Sequence, residues 1–304
     1  MPATPEYKAL MERVGNAPWP GLPGRLAEWR RWWNKKRGRP ATADVGVLAT
    51  LLRELKSAAA EALAPHPVDR VAVTLPAVGA IMEVDMADAL EYAGLGSWLG
   101  DSYRYQPGRI YQSRAVFAAH GHGLCTSYTD ICECWHEGDS LACRLVLFAS
   151  LTRHALYASL YTLRKAFAAY VANGPQVLDF DGGLDSRGRY ASDDEYWAHV
   201  RAQIIGLLEK IDSRPVEMVL LGGENGTDRT FLETLRDALA EVNPTSPVSI
   251  DIATTVDPTF AAATGMALYA RRRQEVPSDC KEHPACEKQR QEERAGGGEW
   301  KLEL

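Results

Sequence analysis

VEMVLLGGENGTDRTFLETLRDAL, residues 216–239, joins a buried strand, a glycine turn and a helix start in one run. Val216, Met218, Val219, Leu220 and Leu221 form an almost continuous apolar segment, the pattern of a strand covered on both faces, as in a parallel sheet between helices. Gly222 and Gly223 end it. Without Cβ atoms they allow a sharp turn and a close approach of backbone N–H groups to a ligand, while Thr227 or Asp228 can cap a helix carrying Phe231, Leu232, Leu235 and Leu239. An anion or a sugar hydroxyl suits such a helix start. The plainer account is a tight strand-to-helix turn that binds nothing.

The composition allows a sizeable core, with 46% apolar residues in 304, enough for one large domain or two small ones. A net charge of −6 gives no global attraction to nucleic acid or to an anionic membrane, so either contact would need a local basic patch. Residues 1–16 lack the apolar core of a signal peptide, and the apolar region 141–172 is interrupted by Arg144, Arg153, His154, Arg164 and Lys165, so no membrane span is expected. These features predict a soluble, cytoplasmic protein whose six cysteines are reduced thiols.

Three regions are expected. Residues 1–41 form an arm, proline- and glycine-rich to residue 24, where it is expected to be extended and loosely attached, and then basic and aromatic. Within GRLAEWRRWWNKKRGRP, residues 24–40, Arg30, Arg31, Lys35, Lys36, Arg37 and Arg39 surround Trp29, Trp32 and Trp33. Such a mixture can stack bases or lie on an anionic membrane. The acidic remainder of the chain favours instead a short helix whose tryptophans dock on the domain while its cations reach water, and disfavours nucleic acid as a partner. Residues 42–275 form the main domain: a helix over 42–63, a strand over 68–75, a helix over 82–93, a strand and turn over 102–110, a helix over 111–119, a hairpin of 145–150 with 155–161 running into a helix at 163–171, a helix over 193–210, the opening strand and helix, a strand over 248–252 and a last helix from Asp257-Pro258. Residues 276–304 are charged and glycine-rich and are expected to be a disordered tail.

A second candidate site is VLDFDGGLDSRGR, residues 177–189, where Asp179, Asp181 and Asp185 surround Gly182 and Gly183. Carboxylates there suit magnesium, and backbone N–H groups suit a phosphate. The run is not an EF-hand, since Gly183, Leu184 and Tyr190 stand where that loop needs a ligand, a glycine and a glutamate. Cys125, Cys132, Cys134 and Cys143 lie near His122 and His136, but without Cys-x-x-Cys knuckles, so no metal is assigned.

Several segments in order resemble the ATPase domain of the actin, sugar kinase and heat-shock chaperone superfamily, most closely the divergent actin-like ATPase proteins of filamentous fungi. VAVTLPA, residues 71–77, is similar to the strand ending in a Val-Pro-Ala turn, and DMADALEYAGL, residues 85–95, to the helix after it. Gly123-Leu124-Cys125 and Tyr128-Thr129-Asp130 look like the stretch before the second phosphate hairpin, for which residues 145–161 would stand. Residues 219–225 resemble the adenosine motif, and DPTFAAATGMALYA, residues 257–270, the helix that follows. The resemblance implies a ribonuclease-H-like α/β domain, a mixed sheet with flanking helices, whose N-terminal half is incomplete.

It also implies ATP or ADP with magnesium as cofactor, with Gly222, Gly223, Glu224 and Asn225 against the ribose or adenine and Asp179, Asp181, Gly182 and Gly183 as the second set of contacts. The chain departs from the pattern in both phosphate loops. No strands precede residue 42 to carry the first Asp-x-Gly loop, and Ser150, Leu151 and Thr152 stand where the second needs Asp-x-Gly-Gly. A shifted alignment would use Asp181-Gly182-Gly183, but no strand pattern follows Gly183. Phosphoryl transfer needs positioned magnesium and a placed water, so ATP hydrolysis is not expected. The expectation is a degenerate module that binds a nucleotide or a protein partner. The alternative is an enzyme of specialised metabolism that uses Asp179, Asp181 or Glu224 with His120, His122 and His136 for other chemistry.

Overall fold

The computed structural model describes residues 4–18, 21, 23–77, 79–99, 109–167, 174–211, 215–242, 251–276, 288 and 291–292. At its centre is a hairpin of β5 (Arg144–Leu151) and β6 (Leu156–Leu163), whose strands are buried almost throughout. Thr152 closes the turn between them, its hydroxyl accepting from Ala155 N at 2.9 Å and its N–H donating to Ala155 O at 3.0 Å. β7 (Gln176–Asp179) pairs antiparallel with β6. On the other side, β8 (Met218–Gly222) runs parallel to β5, with Ser150 opposite Gly222, and β9 (Asp251–Ala253) runs parallel to β8. The strand order is therefore β7-β6-β5-β8-β9, with β6 alone reversed.

Helices cover both faces, which is why the central strands lack a polar alternation. Leu145, Leu147, Ala149 and Leu151 of β5, with Val219 and Leu221 of β8, pack with α7 (Asp193–Leu208) and α8 (Arg229–Val242). The alternate residues Val146, Phe148, Met218 and Leu220 face α5 (Gln112–Ala119) and α9 (Pro258–Glu275). Ser192 caps α7 by accepting from Glu195 N, Asp257 caps α9 as its sequence suggests by accepting from Thr259 N, and Asp228 rather than Thr227 caps α8 by accepting from Phe231 N.

The first half of the chain builds a second core from α1 (Pro5–Gly15), α3 (Ala43–Ala62) and α4 (Glu83–Ala93). The strand expected over 68–75 is two short pieces, β1 (Arg70–Val71) and β2 (Thr74–Leu75). They pair parallel with β3 (Gly96–Ser97) and β4 (Ile110–Tyr111) respectively. The two halves meet where Tyr157 Oη accepts from Ala77 N at 3.1 Å and where Leu178 and Phe180, in and after β7, pack into the second core.

Several expectations are corrected. Residues 5–15 are a docked helix and not a loose arm: Thr4 caps it, Pro5 takes the first turn, where no N–H is needed, and Leu10, Met11 and Val14 are buried. α2 (Arg25–Lys36) has the opposite orientation from the one expected, since Arg31 is its buried residue and Trp29, Trp32 and Trp33 are exposed. Residues 164–167 are not helical. The remainder of that expected helix, 168–171, most of the strand and turn over 102–110, the start of the strand at 248–252 and nearly all of the tail lie outside the described residues. No described helix is long and apolar enough to cross a membrane.

Candidate functional site

The strands β5, β7, β8 and β9 point the same way, so the two candidate loops, after β7 and after β8, leave one edge of the sheet, on either side of the β5–β6 turn. In open α/β sheets ligands gather outside the carboxyl ends of strands where connections diverge, and here the chain leaves β5 one way to β6 and returns on its other side as β8. Gly222 lies against Phe148, where a Cβ would come 2.7 Å from the ring. Gly223 has φ +80°, and a Cβ there would lie 2.3 Å from Leu151 O, so the turn requires glycine for both conformation and space.

The turn is bonded to the hairpin. Asn225 N donates to Leu151 O at 3.1 Å, and the Glu224 carboxylate accepts from Arg153 N at 2.8 Å. The neighbouring amides are also taken, His154 N and Ala155 N by Thr152 Oγ1. At the start of α8 the anion position is filled by Asp228. No signal in Glu224 itself showed this role, because it depends on the register that sets Ser150 beside Gly222.

The second loop closes on the other side of the same turn. Leu184 N and Asp185 N donate to Thr152 O and Arg153 O at 3.2 and 2.7 Å, and Arg153 Nε reaches Asp185 at 2.9 Å. A Cβ on Gly183 would lie 2.3 Å from the His154 carbonyl carbon, so this glycine serves loop-to-hairpin packing. Asp179 accepts from Asp181 N at 2.9 Å and lies 2.6 Å from His199 Nε2, with 15% of its side chain exposed. Asp181 pairs with Arg189, and Tyr196, whose phenol burial raises to about 12, donates to Gly182 O. His199 is the residue that sequence reasoning missed. Its only signal was a position on α7 three residues after the buried Tyr196.

Arg153 thus bridges the two candidate sites, which meet as one edge. α1 lies against that edge as well, with Glu12 3.3 Å from His154 and Asn16 donating to Leu178 O at 3.2 Å. Two of the histidines proposed as partners, His120 and His122, lie elsewhere. His122 feels Arg144 and Asp251, the first residues of β5 and β9, and so sits at the opposite edge of the sheet, while His120 shares the field of Asp251 and lies 2.7 Å from Thr255 Oγ1. Among the described residues, no three His, Cys, Asp or Glu side chains group to hold a metal.

Burial holds the pKa of both histidines below the ordinary value; repulsion adds to it, from His122 on His120 and from Arg144 on His122. They take up protons at lower pH in the fold than in the unfolded chain, so stability is lost as pH falls through about 6.5, the ordinary value of the unfolded side chains. Thermal melting over about pH 7.5 to 5.5 should decline less steeply in a His120→Asn/His122→Asn variant. An equal decline in both proteins would contradict this account.

The cysteines correct a further expectation. Cys125 and Cys134 form a disulfide with Cα atoms 5.1 Å apart, and Cys143 is an exposed free thiol. The expected reduction rested on compartment, whereas the pairing follows from local geometry. Asp130 caps α6 (Ile131–Ser140) by accepting from Glu133 N, and Glu137, its carboxyl held below the usual range, accepts from the N–H groups of Ser127 and Thr126. Those bonds fold the 125–130 loop back over α6 and bring Cys125 to Cys134. No family model matches the sequence, and no curated protein matches it.

Proposed function

We propose that this chain is a degenerate actin-like ATPase module of ribonuclease-H-like fold, which acts by binding a nucleotide or a protein partner and does not turn over ATP. The strand order β7-β6-β5-β8-β9 with only β6 reversed, helices on both faces, and a glycine turn at the point where the connections diverge support the fold part of this reading.

One observation carries the functional part: the Glu224 carboxylate sits on Arg153 N–H at the hairpin tip, where the resemblance would put a phosphate. A built-in carboxylate supplies there the negative charge and acceptor oxygens that a nucleotide would bring. Thr152 occupies the adjacent amides, and Asp179 and Asp181 are engaged with His199 and Arg189. Phosphoryl transfer depends on positioned charge and a placed nucleophile, and these groups are committed to holding the loops together. The experiment is phosphate release from ATP with magnesium by the intact chain. Release equal to that of buffer is expected, and steady turnover that scales with protein concentration would sink the proposal.

A further inference from the structure

α2 is anchored by its charges. Arg31 bonds Asp85 at 2.8 Å and Asp88 at 2.6 Å, and Lys35 bonds Asp88 at 2.7 Å, so the cationic side of the helix faces α4. The opposite side carries Leu26, Trp29 and Trp33 at i, i+3 and i+7 with Trp32 beside them, and these are 63%, 55%, 39% and 51% exposed. Cations flank this face on both sides, Arg25 and Lys36 along one and Arg30 and Arg37 along the other, and all are exposed, as is Arg39 just beyond the helix. Glu28 is the only carboxylate in the helix. Tryptophans ordinarily bury far more apolar surface than any other anchor, so a fold that holds this helix by an ion pair leaves its strongest adhesive face outward.

We infer that this face is a docking surface for an anionic lipid membrane, on which α2 lies in the plane of the headgroups. An apolar centre between two cationic flanks on the exposed side of a helix is the pattern of an interfacial helix, and indoles favour the headgroup level. Single-stranded nucleic acid needs open ring faces as stacking platforms. Here those faces are used internally: Trp29 and Trp33 stack with planes 9° apart, while Lys36 and Arg37 stand over Trp32 and Trp33. Charge complementarity points the same way. The exposed cations of this face stand out from a chain of net charge −6, so attachment to anionic lipid is local and salt-sensitive.

The test is co-sedimentation of the full chain with vesicles of phosphatidylcholine containing phosphatidylserine, against phosphatidylcholine alone. Binding to the anionic vesicles at low salt is expected, falling at least about tenfold on pure phosphatidylcholine and by a similar factor in a Trp29→Ser/Trp33→Ser variant. An Arg30→Glu/Arg37→Glu variant, which leaves the tryptophans and the Arg31 anchor in place, should lose binding to the same extent, and it carries the test if the serine variant fails to fold. No binding to anionic vesicles, or binding unaltered by the charge reversal, would overturn the inference. So would tighter binding of a single-stranded oligonucleotide than of vesicles, or a dimer in light scattering that the serine variant abolishes, since the face would then belong to nucleic acid or to a second copy of the chain.

Discussion

Arg31→Met is expected to lower the free energy of unfolding by about 3–5 kcal/mol, the usual cost of removing one partner from a buried ion pair. The side chains of Arg31, Asp85 and Asp88 are 10%, 13% and 8% exposed, so the two carboxylates cannot recover full hydration when the guanidinium goes. Arg31 also donates to Val84 O at 3.2 Å, a carbonyl in the first turn of α4, so one side chain ties two helices. Lys35 remains on Asp88 at 2.7 Å and Met82 N on Asp85 at 2.9 Å, which places the loss toward the lower end of the range. Urea unfolding measures it. A triple variant with Asp85→Asn and Asp88→Asn added should recover much of the stability, because neutral side chains need no counter-charge there. A single-variant loss below about 1 kcal/mol would mean that the pair is solvated and that α2 is held by something else.

Gly265→Ala should cost about 3 kcal/mol or more, an unusual size for the addition of one methyl group. α9 crosses α5 at this residue so closely that a Cβ would lie 1.7 Å from Ala115 O and 2.5 Å from its carbonyl carbon. The obstruction is backbone, so no side-chain rotamer relieves it, and the helices must separate. They pack through Val116, Phe117, Ala118 and Ala261 in the core under one face of the sheet, so separating them loosens that core. Alanine is otherwise the better helix former, by about 1 kcal/mol, so the sign of the effect tests the packing directly. Stabilisation by Gly265→Ala would show that the two helices do not approach as described.

Both effects depend on contacts between distant segments, and the same distinction separates what the sequence revealed from what it hid. β8 was legible because burial on both faces leaves an unbroken apolar run, and α9 because Asp257-Pro258 is a helix start whose cap bond spans only two residues. α1 runs against the proline-rich composition of its surroundings because Thr4-Pro5 is a helix start and Leu10, Met11 and Val14 bury one face of it. The orientation of α2 could not be read locally, since Asp85 and Asp88 lie 54 and 57 residues away and tryptophan composition alone argues for burial. Likewise, Gly222-Gly223 and Asp181-Gly182-Gly183 were recognisable as loops but not as neighbours. Their meeting is made by the β5–β6 turn, 71 residues from Glu224 in the bond that joins them.

That bond provides the most direct measurement on the central claim, a calorimetric titration of ATP with magnesium into the intact chain and into Glu224→Ala. If the carboxylate stands in for a phosphate on Arg153 N–H, removing it frees a donor for the nucleotide and strips a negative charge from the edge of the sheet. The variant should bind about tenfold more tightly than the intact chain, the equivalent of one charge-assisted hydrogen bond. An affinity unchanged or weakened by Glu224→Ala, or no heat of binding in either protein, would contradict the account of a self-occupied nucleotide site.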